Sequence, residues 1–200
     1  MICAVVLAAG LSRRMGVQKL LLPFGGSTLV THIVDRVLES AVEEVYVVVG
    51  RHREGIAAAL GDRPVSLVTN PQADSEMLQS VRCGLRALPG DCEAVLVALG
   101  DQPGISSSLI DRMASAFRAS GPGIVVPSHD GRRGHPLLFA ARFRDEVLTS
   151  HDDTGLRGLL QAHPEDVCEL AVSAPEVLLD VDGPDDYRAA LAMLRPDAER

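Results

Sequence analysis

Short apolar runs alternate along this chain with stretches whose apolar residues recur at helical spacing, and that alternation leaves few folds open. Ile2–Ala8 is an uninterrupted apolar run, the pattern of a strand buried on both faces. Thr28–Leu38 sets Leu29, Ile33 and Val37 on one stripe and predicts a helix. Val45–Val49 reads as a second buried strand, Glu54–Leu60 as a short helix, and Val65–Val68 as a third strand ended by Asn70-Pro71. Glu76–Leu88 carries Met77, Val81 and Leu85 on one face and stops at Pro89-Gly90, which predicts a further helix. Ala94–Leu99 is a fourth strand, and Ser107–Phe117 a helix capped by one of the serines at 106–108. The order βαβαβαβα implies a mainly parallel sheet with helices on both faces.

The second half is less regular. Gly123–Val126 reads as a strand, Asp130-Gly131 as a turn, and Pro136–Phe139 as a short strand after it. Arg144–Leu148 and Leu156–Ala162 read as helices, Val177–Val181 as the last strand and Asp185–Leu194 as the last helix. No linker, repeat or low-complexity stretch divides the 200 residues, so residues 1–195 are expected to form one domain and 196–200 a frayed tail.

Composition narrows the function classes. A net charge of −8 argues against non-specific nucleic-acid binding, so an anionic ligand requires a local cluster of cations. Every apolar run falls short of the roughly 18 residues a membrane span needs. Met1–Ala9 has neither a basic flank nor a small-residue cleavage pattern. Cys3, Cys83, Cys92 and Cys168 form no Cys-x-x-Cys pair and read as free thiols. These features predict a cytoplasmic location without membrane or nucleic-acid partners.

Of the 19 basic residues, Lys19 is the only lysine. In a chain this biased toward arginine, a lone lysine is either a chance survivor on the surface or a place where a wide planar guanidinium does not fit. Lys19 closes the segment Leu7-Ala8-Ala9-Gly10-Leu11-Ser12-Arg13-Arg14-Met15-Gly16-Val17-Gln18-Lys19. Small residues at 8–10 let a ligand approach the backbone closely. Three cations follow, and no acid precedes Asp35. A basic loop after the first strand of a parallel sheet suits an oligophosphate. It matches neither the Walker A loop nor the dinucleotide Gly-x-Gly-x-x-Gly pattern.

Two acidic segments are expected at the same sheet edge. Gly100-Asp101-Gln102-Pro103 ends strand four, where the Asp101 carboxylate is placed to hold Mg2+ against phosphate oxygens. Asp180-Val181-Asp182-Gly183-Pro184 ends the presumed last strand, whose alternation puts Asp180 and Asp182 on one side. Asp182 then offers a second metal ligand and a cap for the following helix. Gly134-His135-Pro136 and Asp153-Thr154-Gly155-Leu156-Arg157 are softer candidates. His52, His129, His151 and His163 lack metal-ligand spacing and read as surface residues.

The motif Leu7-Ala8-Ala9-Gly10-x-Ser12-x-Arg14-Met15-Gly16-x-x-Lys19 resembles the signature of the nucleotidyltransferases that include the molybdenum cofactor cytidylyl- and guanylyltransferases. Leu20–Pro23, Asn70-Pro71 with Ser80, Gly100-Asp101-Gln102-Pro103, Gly134-His135-Pro136, Asp153-x-Gly155-x-Arg157 and Asp182-x-Pro184-x-Asp186-Tyr187 follow in family order. The resemblance implies a Rossmann-like three-layer α/β sandwich of the nucleotide-diphospho-sugar transferase type. Ala-Ala-Gly in the first loop and the Gly-His-Pro turn look like the cytidylyltransferase branch. A departure stands at Glu76, where the family usually has glycine; a carboxylate there is expected either to cap the next helix or to alter base or substrate contacts.

The implied activity is transfer of CMP from CTP to the terminal phosphate of molybdopterin or the molybdenum cofactor, with pyrophosphate release and Mg2+ as cofactor. Leu7, Ala8, Ala9, Gly10, Leu11, Ser12, Arg14, Lys19, Asn70, Ser80 and Asp101 would bind the nucleotide. Lys19, Arg14 and Asp101 would act in catalysis, Asp101 and Asp182 on the metal, His135 and Arg157 on the acceptor. Three alternatives stay open: GTP as donor, a sugar or alcohol phosphate as acceptor, or a binding protein without turnover that serves a molybdenum hydroxylase. The implied protein partner is such a hydroxylase in its apo form, or its chaperone.

Overall fold

A computed structural model of the protein describes residues 1–12, 14–72, 76–121, 123–173 and 175–194. Arg13, one of the three cations of the first loop, and the proposed tail lie outside the described residues. Strand β1 is Ile2–Ala8, as its apolar run predicts. A small hairpin, β2 (Pro23–Phe24) with β3 (Ser27–Thr28), leads into α1 (Leu29–Leu38), whose first turn is capped by the Thr28 side chain. There follow β4 (Glu44–Val49), α2 (Arg53–Leu60), β5 (Ser66–Thr69), α3 (Met77–Ala87) and β6 (Ala94–Leu99). Then come α4 (Ser107–Ser120), β7 (Ile124–His129), β8 (Arg132–Arg133) and β9 (Leu137–Ala140). The chain ends with α5 (Arg144–Thr149), α6 (Leu156–Ala162), β10 (Val167–Ala171) and α7 (Pro184–Met193).

The main sheet runs β10-β7-β9-β6-β1-β4-β5, with β8 paired on β7. β1 sits in its middle, parallel to β4 and β6, with Val5 opposite Tyr46 on one side and Val97 on the other. Strict alternation along β1 divides the core. Ile2, Ala4, Val6 and Ala8 face the layer holding α1, α2, α4 and α7. Cys3 and Val5 face the layer of α3, α5 and α6. That two-sided burial is why the strand contains no polar residue. Helix α3 lies unusually close to the sheet, because a Cβ at Gly84 would run into Val5.

β9 alone among the long strands is antiparallel, to both β6 and β7. Its amino end therefore lies at the edge where the parallel strands end, and this delivers Gly134 and His135 to that edge. The Asp130-Gly131 turn is present with both residues at positive φ, the form that matches hairpin twist. It joins β7 to the short β8, a strand absent from the sequence reading.

One predicted element is wrong. Val177–Val181 is not a strand: Pro175–Leu178 is a 3-10 turn, and the chain then crosses the ends of other strands. The partner edge beside β7 is taken by β10, which the sequence reading overlooked. The crossing segment is held by single bonds instead, from Val181 N–H to the Asp101 carbonyl (2.9 Å) and from His135 N–H to the Val177 carbonyl (3.3 Å). Strand alternation is therefore not what positions Asp180 and Asp182. Their side chains diverge: Asp180 accepts from Gln102 Nε2, while Asp182 turns toward Lys19 and Arg14.

The capping expectations also shift. Ser106 caps α4 as predicted, through Leu109 N–H at 3.2 Å. Glu76 occupies the cap position of α3 without a side-chain bond to it. Asp182 does not cap α7; Asp186 reaches back to Gly183 N–H at 2.8 Å.

Candidate active site

The loop after β1 is organised by its own polar side chains. Ser12 adopts a positive φ of 50°, and its hydroxyl donates to Gln18 Oε1 at 2.7 Å while accepting from Lys19 N–H at 3.1 Å. Gln18 Nε2 donates to the Gly10 carbonyl at 3.2 Å, which closes the loop on itself. Gln18 also caps the 3-10 turn Lys19–Leu21. The sequence reading passed over Gln18, since a glutamine inside a basic loop carries no chemical signature. Its effect is to start the turn that aims Lys19 inward.

Lys19 is 9% exposed although it is a lysine. Its Nζ lies 2.7 Å from Asp101 Oδ2, donates to the Val181 carbonyl at 2.7 Å, and stands 3.4 Å from Asp182 Oδ1. Burying an ammonium is costly unless its donors are met, and here three acceptors meet them. Asp182 Oδ2 in turn accepts from Arg14 Nη1 at 2.8 Å. Gly100 lets the β6 end approach β1: a Cβ there would stand 2.6 Å from the Leu7 carbonyl oxygen. The two acidic segments and the basic loop therefore do meet at one sheet edge. Asp101 and Asp182 both turn carboxylate oxygens to the Lys19 ammonium, and hard oxygen donors of this kind are of the type that suits Mg2+ or Mn2+.

A cavity of about 220 Å³ opens beside this cluster, lined by Leu7, Ala9, Gly10, Met77, Ser80, Leu99 and Asp101. Ala8 is buried at the end of β1. Asn70 is buried behind the cavity and donates to Ser80 Oγ at 3.0 Å, so it reaches the cavity through that serine. Met77, read from the sequence as part of a helix stripe, is exposed and supplies apolar wall here together with Leu99 from the end of β6.

A second cavity, about 160 Å³, is lined by Val126, Arg133, Gly134, His135, Leu137, Leu156, Arg157 and Leu160. It brings together His135 and Arg157, which are remote in sequence. The His135 Nδ1 atom is buried without a hydrogen-bond partner among the described residues. Burial pushes the His135 imidazole below its ordinary pKa, against the opposing charges of Asp180 and Asp101. Two histidines read as surface residues are tied down nearby: Glu146 bonds His151 Nε2 and His163 Nε2, each at 2.8 Å.

The three-layer sandwich, with a basic loop after its central strand and an aspartate at the neighbouring strand end, is the nucleotidyltransferase fold of the nucleotide-diphospho-sugar transferase type. Residues 4–167 match the family described as the MobA-like NTP transferase domain, and the chain belongs to that family. Nicotine blue oxidoreductase of Paenarthrobacter nicotinovorans is 34% identical, covering 82% of this chain and 83% of that protein. The molybdenum cofactor cytidylyltransferase of Escherichia coli K12 is 26% identical, covering 93% of each. Among solved structures, Rv0371c from Mycobacterium tuberculosis H37Rv superimposes with a TM-score of 0.86 at 29% identity, covering 96% of this chain and 97% of that one. A further structure of Rv0371c is a complex with manganese. No helix among the described residues is long and apolar enough to cross a membrane.

Proposed function

We propose that this protein transfers CMP from CTP to the terminal phosphate of molybdopterin or the molybdenum cofactor, and that residues 1–195 act as one catalytic unit. The observation that carries this reading is the sole lysine, buried and 2.7 Å from Asp101, at the mouth of a cavity walled by Ala9 and Gly10. A phosphate monoester has a second pKa near ~6, so the attacking oxygen is already ionised at neutral pH. No general base is then needed, and catalysis reduces to positioning and charge neutralisation. The acceptor oxygen attacks the α-phosphorus, the bond to the β-phosphate oxygen breaks, and pyrophosphate leaves.

In this reading Arg14 and the Gly10–Ser12 backbone hold the β- and γ-phosphates. Lys19 exchanges a carboxylate contact for an α-phosphate oxygen, where charge concentrates during displacement. Asp101 and Asp182 hold Mg2+, which supplies further neutralisation of phosphate charge when bound. His135 and Arg157 face the acceptor. Of the two arginines that line the second cavity, Arg133 is paired with Glu169 at 2.8 Å, which leaves the Arg157 guanidinium for anionic parts of the acceptor. The Ala9 methyl narrows the first cavity relative to glycine and favours a pyrimidine over a purine. The protein partner in this reading is a molybdenum hydroxylase apo-enzyme or its chaperone.

A second reading comes from the relative named nicotine blue oxidoreductase, the more similar in sequence of the two relatives described. There the first cavity would hold a redox nucleotide and no phosphorus bond would break. The deciding experiment is pyrophosphate release with molybdopterin, comparing CTP, GTP and ATP, run beside reduction of nicotine blue by a nicotinamide nucleotide. Release with CTP above the other two carries the proposal. Release only with a sugar phosphate, or dye reduction without release, overturns it.

A further inference from the structure

Arg82 is 6% exposed, and no step above uses it. It follows Ser80 by two positions on α3, about 200° around the helix. One side of α3 thus lines the nucleotide cavity with Met77 and Ser80, while Arg82 leaves from the other side. All three guanidinium nitrogens of Arg82 enter one stretch of chain. Nε donates to the Val147 carbonyl at 2.9 Å, Nη2 to the Ser150 carbonyl at 2.8 Å, and Nη1 to Asp152 Oδ1 at 2.6 Å. That stretch is the end of α5 and its connection to α6, and it runs directly into Leu156 and Arg157, which line the second cavity. The same stretch is pinned from its other side by His151, held to Glu146 and packed so closely on α6 that a Cβ at Gly158 would run into it.

We propose that Arg82 is a positioning residue for the acceptor: it locks the Ser150–Arg157 connection to the nucleotide-binding helix, so that Arg157 faces the second cavity while Ser80 lines the first. This rests on reading the second cavity as the acceptor side. The chemistry calls for arginine. A planar fork satisfies two carbonyls and a carboxylate in three fixed directions, whereas an ammonium is a single point charge on a flexible stem. The bonds also join elements far apart in sequence, so helix and connection move as one body.

The test uses Asp152→Ala, which removes one partner whose side chain is 67% exposed and so spares the core, together with Arg82→Lys and the conservative Asp152→Glu. In steady-state assays with CTP and molybdopterin, Asp152→Ala is expected to raise the acceptor KM about tenfold, the scale of one lost charge-assisted bond, with the CTP KM unchanged. Arg82→Lys raises the acceptor KM further, and Asp152→Glu restores part of it. Equal rises in both KM values, or no rise in either, overturn the positioning role. Arg157→Ala separates the two claims. If it raises the acceptor KM while Asp152→Ala does not, Arg82 does not position the acceptor. If Arg157→Ala has no effect, the cavity assignment itself fails; amide exchange over residues 150–157 then supports the anchoring if Asp152→Ala speeds it, and overturns the anchoring if it does not.

Discussion

The Lys19 ammonium and the Asp101 carboxylate stand 2.7 Å apart, joining the loop after β1 to the loop after β6 across the central seam of the sheet. Each group answers the other's burial cost. In the proposed reaction a metal ion on Asp101 and a phosphate on Lys19 would each replace a partner that the other gives up.

Lys19→Ala is expected to lower turnover at least ~100-fold, the scale of removing one donor from a developing oxyanion. Lys19→Arg is expected not to restore it, because a planar fork does not bring one point charge to the three acceptors that surround Lys19 Nζ. Pyrophosphate release at saturating nucleotide measures both, and a near-wild-type rate in either variant removes Lys19 from the reacting phosphate.

Asp101→Asn is expected to abolish metal-dependent turnover, since an amide keeps the shape and loses the charge that holds a divalent ion. A Mg2+ titration of pyrophosphate release provides the readout. A variant that responds to Mg2+ as the wild type does places the ion elsewhere.

Ala9→Gly is expected to shift the ratio of GTP to CTP turnover toward GTP about tenfold, because one methyl in an apolar pocket is worth roughly 1–3 kcal/mol of discrimination. Parallel kcat/KM values for the two nucleotides settle the point. An unchanged ratio means that another wall of the cavity reads the base.

His135 sets a pH dependence of stability. Burial holds the folded-state pKa of its ring below the ordinary ~6.5. Between the two values the unfolded chain binds more protons than the folded one, so stability falls as pH drops through about 6.5. His135→Asn removes this component. The wild-type urea midpoint should fall more steeply from pH 7 to 5.5 than the variant's, and parallel slopes would exclude a desolvated ring.

Gly84→Ala is expected to destabilise the protein by about 1–3 kcal/mol, the usual cost of overpacking, because the added methyl runs into Val5 beneath α3. Chemical denaturation measures it. A neutral substitution would show that α3 can lift from the sheet without penalty.

The local elements were legible where a strand or helix carried its own period. The runs at Ile2–Ala8 and Ala94–Leu99 matched to the residue, because burial on both faces leaves no polar position to blur a boundary. The Ser106 cap and the Asp130-Gly131 turn were legible for a similar reason, since their chemistry acts within a few residues. The basic loop, its lone lysine and the Asp101 motif could be singled out by charge pattern alone. Tertiary structure decided what those residues meet. Val177–Val181 has the composition of a strand, yet β10 occupies the edge beside β7. The segment is left to cross the strand ends, and that crossing carries Asp182 to Lys19. Antiparallel insertion of β9 brings His135 to the same edge, and Arg82 clamps a connection some seventy positions away. Periodicity and capping are short-range forces written into neighbouring residues. Which strand wins a sheet edge is a competition between distant segments for the same hydrogen bonds, and only the assembled fold resolves it.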